Sequence, residues 1–501
     1  MKRLVSLILT FLLAFSIMPA SWNNGTIEAK GTVIDSGECG PSLTWEFTSD
    51  NVLTISGTGA MYNYNYNNEA PWYYYRTGTH YIESESGYSI NVSSNYITTI
   101  IVNNGVSSIG DYAFYHLDYV TNISLPSSVT TIGNWSFTGT AITSLTLPAS
   151  LVSIGSDAFY SCSQLKSIVF PASLKGIGMW AFESCTSLSS IVIPSKVSLN
   201  SYVFSNCINL KNVVIEKGRT ELPQGLFYGC SALTNIVIPE GITDINCNVF
   251  EDCIQLKQIS IPKSVTRIGY SIGSTFDGCY SLKEVDYGGS ENDWNNIDIY
   301  ENNDPLLSAN IYYNSYNPFV DISAASWCFS PVLWAYNTGV TTGTTVTTFE
   351  PNKTCTRAEF VAFLYKYMGM PWNEAWASEC NFSDVKSSNW FYRAVIWANH
   401  VGVTHGTTST TFSPNVTLDR AMVISFLYNM EKYQNGKPKV TLTSTKFTDV
   451  PKSSYYYDPV LWAEQYQITN GSTPTTFAPA DNCTRAEAVA FLYNIDKYWK
   501  R

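Results

Sequence analysis

Charge is what this chain has least of. Asp, Glu, Lys and Arg make up 14% of its 501 residues, against roughly 25% in an average soluble protein. The hydrophobic share, 45%, is ordinary, so the place of charge is taken by uncharged hydrogen-bonding residues, chiefly Ser, Thr, Asn and Tyr. Disorder as the general state is excluded, because it needs low hydrophobicity together with high charge. Basic residues are the scarcer sign, 29 against 40 acidic, for a net charge of −11. That balance speaks against a broad nucleic-acid-binding surface. Histidine is nearly missing: His80, His116, His400 and His405 are all there is, which leaves little for imidazole-based active sites. Long apolar runs are missing too, except for Leu4 to Met18 behind Lys2 and Arg3. This stretch has the length of a secretory h-region and falls short of the roughly 20 residues of a membrane span. We expect a signal peptide over residues 1–29, cut between Ala20 and Ala29, with no membrane span after its removal. An uncleaved N-terminal anchor is the alternative.

The motifs of common chemistry are equally scarce. There is no H-E-x-x-H, no P-loop and no C-x-x-C. Carboxylate pairs such as Glu251/Asp252 lack the enclosed cleft that would raise one pKa. No catalytic residue, metal ligand or cofactor is expected, and the reading is not an enzyme. The one enzymatic alternative is a carbohydrase within residues 31–100, where Tyr62, Tyr64, Tyr66, Trp72, Tyr73, Tyr74 and Tyr75 gather. That segment is too short to form an active-site domain alone.

What is present in abundance is repetition. Phe114, 137, 159, 182, 204, 227, 250 and 276 recur every 22 or 23 residues, with one interval of 26. Pro126, 148, 171, 194, 239 and 262 keep the same beat. One unit reads Ala181-Phe182-x-x-Cys185-x-x-Leu188-x-x-Ile191-x-Ile193-Pro194. The β-branched stretch before each Pro reads as a strand that the Pro ends. The Ile-Gly that follows (Ile132-Gly133, Ile154-Gly155, Ile177-Gly178, Ile268-Gly269) is expected to mark a turn needing a permissive residue. A period of this length means a solenoid. Six of the 12 cysteines (Cys162, 185, 207, 230, 253, 279) stand three residues after the Phe. They put a thiol at one phase of each coil, about 4.8 Å from the next. Equivalent side chains point in parallel, so a buried reduced ladder is favoured over stacked disulfides. Metal binding is the weakest reading, since no ligand spacing occurs.

This block, over residues 96–290, resembles the BspA-like bacterial leucine-rich repeats. Residues 31–95 look like the β-rich N-terminal segment such proteins often carry. Residues 291–316, from Trp294 to Asn314, look like a terminal cap and linker.

From Phe319 the period lengthens. Phe319, Phe382 and Phe447 open three copies, with Asp321, Asp384 and Asp449 at +2 and Trp327, Trp390 and Tyr455 at +8. Trp334, Trp397 and Trp462 follow at +15, Phe349, Phe412 and Phe477 at +30, and Arg357, Arg420 and Arg485 at +38. Each copy reads as two helices. The first starts near Pro331, Ala394 or Pro459, where Pro suits the first helical position. The second starts at Thr356-Arg357-Ala358-Glu359 or Thr484-Arg485-Ala486-Glu487, both capping boxes. In the middle copy the box is Asp419-Arg420-Ala421-Met422, so the cap stays and the reciprocal Glu is gone.

The F-x-D-[VI] opening, the W-A helix, the G-x5-F-x-P loop and the T-R-A-E motif resemble S-layer homology domains. We set the copies at 317–372, 380–435 and 445–501. The resemblance implies an all-α pseudo-threefold bundle that binds secondary cell-wall polysaccharide, in its pyruvylated form, in grooves between copies. A guanidinium grips a carboxylate with two parallel hydrogen bonds, and a helix N-terminus favours an anion. Arg357, Arg420 and Arg485 are therefore the candidate binding cations, with Trp327, Trp390 and Tyr455 as sugar-stacking rings and Asp321, Asp384 and Asp449 as hydroxyl acceptors. The alternative is internal pairing of each Arg with a +2 Asp. The whole reads as a multidomain secreted protein of the cell wall or S-layer of a Gram-positive-type bacterium. Its β-rich solenoid offers a face for an unknown protein or a host or bacterial surface ligand, hence adhesion. The alternative is a structural component of the surface layer.

Overall fold

The computed structural model describes residues 31–76, 81–83, 89–91, 96–270, 273–379 and 381–500. The expected signal peptide and Cys380 lie outside the described residues. The chain divides into two compact units, Met1–Asn317 and Pro318–Arg501, and among the described residues no helix is long and apolar enough to cross a membrane.

The first unit opens with three antiparallel strands, Val33–Gly40, Leu43–Thr48 and Val52–Gly57. The third pairs in parallel with Thr99–Val102, so the N-terminal segment is already part of the stack. Each later repeat supplies two strands. One precedes the Pro, as Ser190–Ile193 beside Asn212–Ile215. The other is only two residues long and precedes the Gly, as Ser153–Ile154 beside Gly176–Ile177. At the far end Asp298–Ile299 and Asn310–Tyr312 add to the same two ladders. The β-solenoid thus runs past 96–290 on both sides. A bare terminal coil would expose its inward residues, and the flanking segments cover them as further strands.

The Phe residues form the spine. Phe114 to Phe276 are fully buried, and successive rings stack at 5.1–6.2 Å. Trp72 extends the stack over Phe114 at 5.7 Å. Each cysteine three residues on donates its S–H to the carbonyl of the Phe one coil back: Cys185 to Phe159 and Cys207 to Phe182 at 3.3 Å, Cys279 to Phe250 at 3.0 Å. Burial pushes the thiols of Cys162, Cys207 and Cys279 up to about 12. They behave as small hydrophobes with one weak donor.

The glycine expectation holds at Gly269, whose φ is 78°, and needs correction at the other three. Gly133, Gly155 and Gly178 do not take left-handed φ. They are required for close approach, since a Cβ would stand 2.6 Å from the amide nitrogen of Asp111, 2.6 Å from that of Asn134 and 2.3 Å from that of Ser156. Left-handed φ falls instead on two residues bracketing each Phe from Phe114 to Phe250, such as Trp180 (55°) and Ser184 (58°) or Tyr202 (59°) and Asn206 (55°). That conformation costs roughly 1–2 kcal/mol per residue. It turns each N–H toward a carbonyl of the next coil, Ser184 to Ser205 at 2.9 Å and Tyr202 to Gln224 at 2.8 Å.

The second unit holds two helices per copy: Phe329–Asn337 and Arg357–Tyr367, Tyr392–His400 and Arg420–Asn435, Tyr457–Gln465 and Arg485–Trp499. The first helices begin two residues before the expected Pro331, Ala394 and Pro459, so the two prolines occupy the third helical position. Its N–H is also without an intrahelical partner, which is why Pro is tolerated there. Both capping boxes form, and Asp419 caps Met422 N–H alone. Trp397 and Trp462 are fully buried, whereas Trp334 is half-buried and donates to Asp496 at 3.1 Å.

Two buried acids make the solenoid sensitive to pH, Asp157 and Asp286, both raised to about 6 by burial. Asp286 is completely buried, with Gln258 Nε2 donating to its Oδ2 at 2.7 Å and no partner for its Oδ1. Burial raises its pKa to about 6. A carboxyl whose folded pKa lies above its unfolded value of about 3.9 favours the folded state when protonated. Its stabilisation is full below about pH 4 and is lost as pH rises through about 6. Asp286→Asn is expected to raise stability at pH 7 by about 2 kcal/mol and to reduce the pH dependence of urea unfolding between these limits, leaving the share of Asp157. Unchanged dependence in the variant would contradict the assignment.

Candidate functional site

The arginines at +38 do not extend into solvent. Arg357, Arg420 and Arg485 are 4%, 6% and 3% exposed, and each crosses to the next copy. Arg357 Nε donates to Phe412 O at 2.8 Å, Arg420 Nε to Phe477 O at 2.9 Å, and Arg485 Nε returns to Phe349 O in the first copy at 2.9 Å. Each guanidinium lies between two rings, Arg420 for instance 5.1 Å from Phe477 and 5.2 Å from Phe491. The +2 aspartates hold the same loops from the other side. Asp384 accepts from Phe412 N and Ser413 N at 2.8 and 2.7 Å, and Asp449 from Phe477 N and Ala478 N at the same distances. Asp321 grips Phe349 N and Glu350 N likewise. Arginine and aspartate thus meet on one phenylalanine, through its C=O and its N–H, and not as the direct pair weighed from the sequence.

Helix N-termini are also occupied. Arg357 N donates to Val416 O, and Ala358 N to Pro414 O, of the second copy. Arg420 and Ala421, and Arg485 and Ala486, repeat this with Asp481 and Pro479, and with Lys353 and Pro351. The amides that would receive an anion are therefore spent on the neighbouring copy. Between these contacts runs a closed ring of backbone bonds: Cys355 N to Cys483 O, Leu418 N to Cys355 O, Cys483 N to Leu418 O, at 2.8–2.9 Å.

The +8 aromatics behave in the opposite way. Trp327, Trp390 and Tyr455 are 66%, 68% and 66% exposed, at equivalent places in three copies. Tyr455 borders an open cavity of about 620 Å³ lined also by Tyr428, Asn429, Lys432, Lys437 and Asp458. Lys432 Nζ sits 4.4 Å over the Tyr428 ring, and burial first, then Asp458, raises the Tyr428 pKa. Uncharged donors, two ammonium groups, one carboxylate and a free ring face can together hold a hydroxylated, acid-bearing ring compound. The structure brings Tyr455 to this cavity and leaves the arginines behind it, stacked on phenylalanines. Lys432, Lys437 and Tyr428 were missed from the sequence. The signal was there for the tyrosine, since Tyr365, Tyr428 and Tyr493 recur at +46.

One hydrolase-like string also escaped the motif reading: Gly269-Tyr270-Ser271-Ile272-Gly273 has G-x-S-x-G spacing. A nucleophile elbow needs a helix directly after the Ser; Ser271 lies outside the described residues, and 273–290 contain no helix. Among the described residues no group of three or more His, Cys, Asp or Glu is placed to hold a metal ion.

Comparison with known proteins gives two families. The BspA type Leucine rich repeat region matches residues 91–211 and 197–304, and the S-layer homology domain matches 318–361, 381–421 and 446–489. Similar curated proteins include an endoglucanase of Bacillus sp. (strain KSM-635), 29% identical over 39% of this chain and 20% of that protein. Another is an S-layer protein of Bacillus thuringiensis subsp. finitimus, 27% identical over 36% and 21%. The chain therefore spans about a fifth of the length of each. A leucine rich cell surface protein of Faecalibacterium prausnitzii A2-165, with a crystal structure, is 24% identical, covers 53% of this chain and 98% of its own, and has a TM-score of 0.33.

Removing one buried arginine leaves Glu359 without its partner, the ion pair being 2.6 Å long with side chains 3% and 18% exposed. Arg485→Ala is expected to cost about 3–5 kcal/mol, read as a lowered urea midpoint by circular dichroism. A change under about 1 kcal/mol would contradict a strut role.

Proposed function

For a chain built of a BspA-type leucine-rich repeat region and three S-layer homology domains, we propose a secreted cell-surface protein held non-covalently on secondary cell-wall polysaccharide. The second unit is the anchor, organised as a pseudo-threefold bundle. Support for that organisation comes from the arginine arms, which pass from the first copy to the second, to the third and back to the first. The solenoid is the part offered to a protein or surface ligand, in adhesion or interaction.

The observation that carries this reading is the cavity beside Tyr455. A sugar presents an apolar face and a rim of hydroxyls, and a ketal-linked pyruvate adds a carboxylate. Tyr455 supplies the stacking ring, Asn429 and Asp458 partners for hydroxyls, and Lys432 and Lys437 the charge for the acid. Trp327 and Trp390 are the corresponding rings at the other two junctions. The arginines and aspartates act by fixing the loops that shape these junctions. A second reading, a structural role in the surface layer without an external partner, is favoured by the similarity to a protein named S-layer protein.

The test is co-sedimentation of the full chain with cell-wall sacculi, before and after chemical removal of the secondary polysaccharide. Binding is expected to vanish with the polymer. The double variant Tyr455→Ala, Lys432→Ala is expected to weaken it about tenfold with an unchanged circular dichroism spectrum. Undiminished binding to stripped sacculi would overturn the proposal.

A further inference from the structure

The left-handed residues on either side of each solenoid phenylalanine do more than turn the chain. Their side chains run along the stack, over the equivalent place of the next coil. A Cβ on Gly139 would meet His116, one on Gly225 the ring of Tyr202, and one on Gly278 the carboxylate of Asp252. Two residues before successive phenylalanines stand Tyr112, Trp135, Asp157, Trp180 and Tyr202. The rings of Tyr112 and Trp135 are parallel within 12° at 5.8 Å, and those of Trp180 and Tyr202 are 6.3 Å apart. Asp157 interrupts this row with a short acid between two tryptophans.

That acid is buried and unpartnered. Asp157 is 4% exposed, and among the described residues no hydrogen bond or ion pair reaches its carboxylate. Its oxygens nevertheless keep some contact with solvent. The turn does not call for the charge, since Asn248 holds the same left-handed place before Phe250. Burial first, and then the charge of Glu183 on the next coil, push the Asp157 pKa up to about 6. Nothing beside them offsets the two acids. At the −3, −2, +1 and +2 places around Phe114, Phe137, Phe159, Phe182 and Phe204 there is no lysine or arginine. Ionised at neutral pH, Asp157 calls for a counter-charge that this face of the solenoid does not hold.

The surroundings select the cation. Calcium or magnesium takes about six oxygen ligands or more, and among the described residues no group of three or more His, Cys, Asp or Glu is placed to hold a metal ion. Tryptophan attracts an organic cation best, within about 6 Å of its ring centre. Trp135 and Trp180 belong to coils two steps apart, about 10 Å at the spacing of paired strands, so one ammonium group between them lies within reach of both. Trp180 is 39% exposed and accessible to a partner. The carboxylate accepts from no N–H of its own chain, which favours a primary ammonium with donors over a quaternary one without them.

We propose that Asp157, with Trp135, Trp180 and Glu183 around it, is a binding site for the ammonium group of a lysine side chain on a protein partner. The assignment to a protein rests on the reading of the solenoid as the part offered to one.

Thermal unfolding of the full chain is followed with n-butylammonium chloride as the lysine mimic, against tetramethylammonium chloride and sodium chloride at equal ionic strength. Each response is compared with that of Asp157→Asn, which keeps the shape and removes the charge. Butylammonium is expected to stabilise the chain saturably relative to Asp157→Asn, with tetramethylammonium about tenfold weaker. Trp180→Ala is expected to weaken butylammonium about threefold. Asp286→Asn, which removes the other buried acid, is expected to respond as the chain does. Equal responses of the chain and Asp157→Asn to butylammonium would overturn the site. A tetramethylammonium response as strong as that to butylammonium would overturn the lysine assignment in favour of a quaternary amine, and an equal response to sodium would overturn selection for an ammonium. Capture on polylysine beads is expected to be weaker for Asp157→Asn than for the chain. Equal capture with the butylammonium response intact would leave the site standing and overturn its use toward a protein.

Discussion

A guanidinium withdrawn from water must find carbonyls and rings, and in the C-terminal copies it finds them across a boundary, with a counter-charge for Arg420 and Arg485. Everything else there follows from that constraint. A two-helix hairpin with first helices of nine residues is too short to hold a core alone. Its loop, with a left-handed residue after the phenylalanine (Glu350, Ser413, Ala478), is held within its own copy by the opening Phe segment and the +2 aspartate. The arginine of the preceding copy completes the clamp, and because the third copy returns to the first the set closes. Closure explains why the amides at the helix starts are satisfied by neighbouring carbonyls and why Cys355, Leu418 and Cys483 share a ring of backbone bonds.

The solenoid answers the same problem by stacking. Its repeats bury one phenylalanine per coil and, after Leu117 in the first, one small sulfur or hydroxyl side chain, and each coil pairs its turns with the next. Both units are thus made of pieces that depend on their neighbours. One adds layers until terminal strands cover the ends, and the other closes on itself. In the second, three exposed aromatic rings are left at the surface, one of them, Tyr455, bordering a cavity lined by Lys432 and Lys437.

The period, the strand before the Pro, the phase of the cysteines and both capping boxes could be read from the sequence because they are local or strictly repeated. Two things could not. The glycines after Ile132, Ile154 and Ile177 signal close approach between coils, which spacing along one chain does not distinguish from a turn. The arginines look like surface cations because Thr-Arg-Ala-Glu describes one helix start, while the partner of each arginine lies 47 to 136 residues away. Met422 reads as a lost cap at Arg420 and also leaves Arg357 without the carboxylate that Glu359 and Glu487 give the other two arginines. Lys432 recurs at +50 only in the third copy, as Lys497, and Lys437 lies beyond the repeat, so the fold rather than the sequence brings them to the ring of Tyr455.

Interlocking across copies is the central claim, and hydrogen exchange of the full chain followed by mass spectrometry tests it most directly. Peptides from the helices Arg357–Tyr367, Arg420–Asn435 and Arg485–Trp499 are expected to share one opening free energy and to lose protection together as denaturant is added. Three separate free energies, with one copy opening while the others stay protected, would contradict the account.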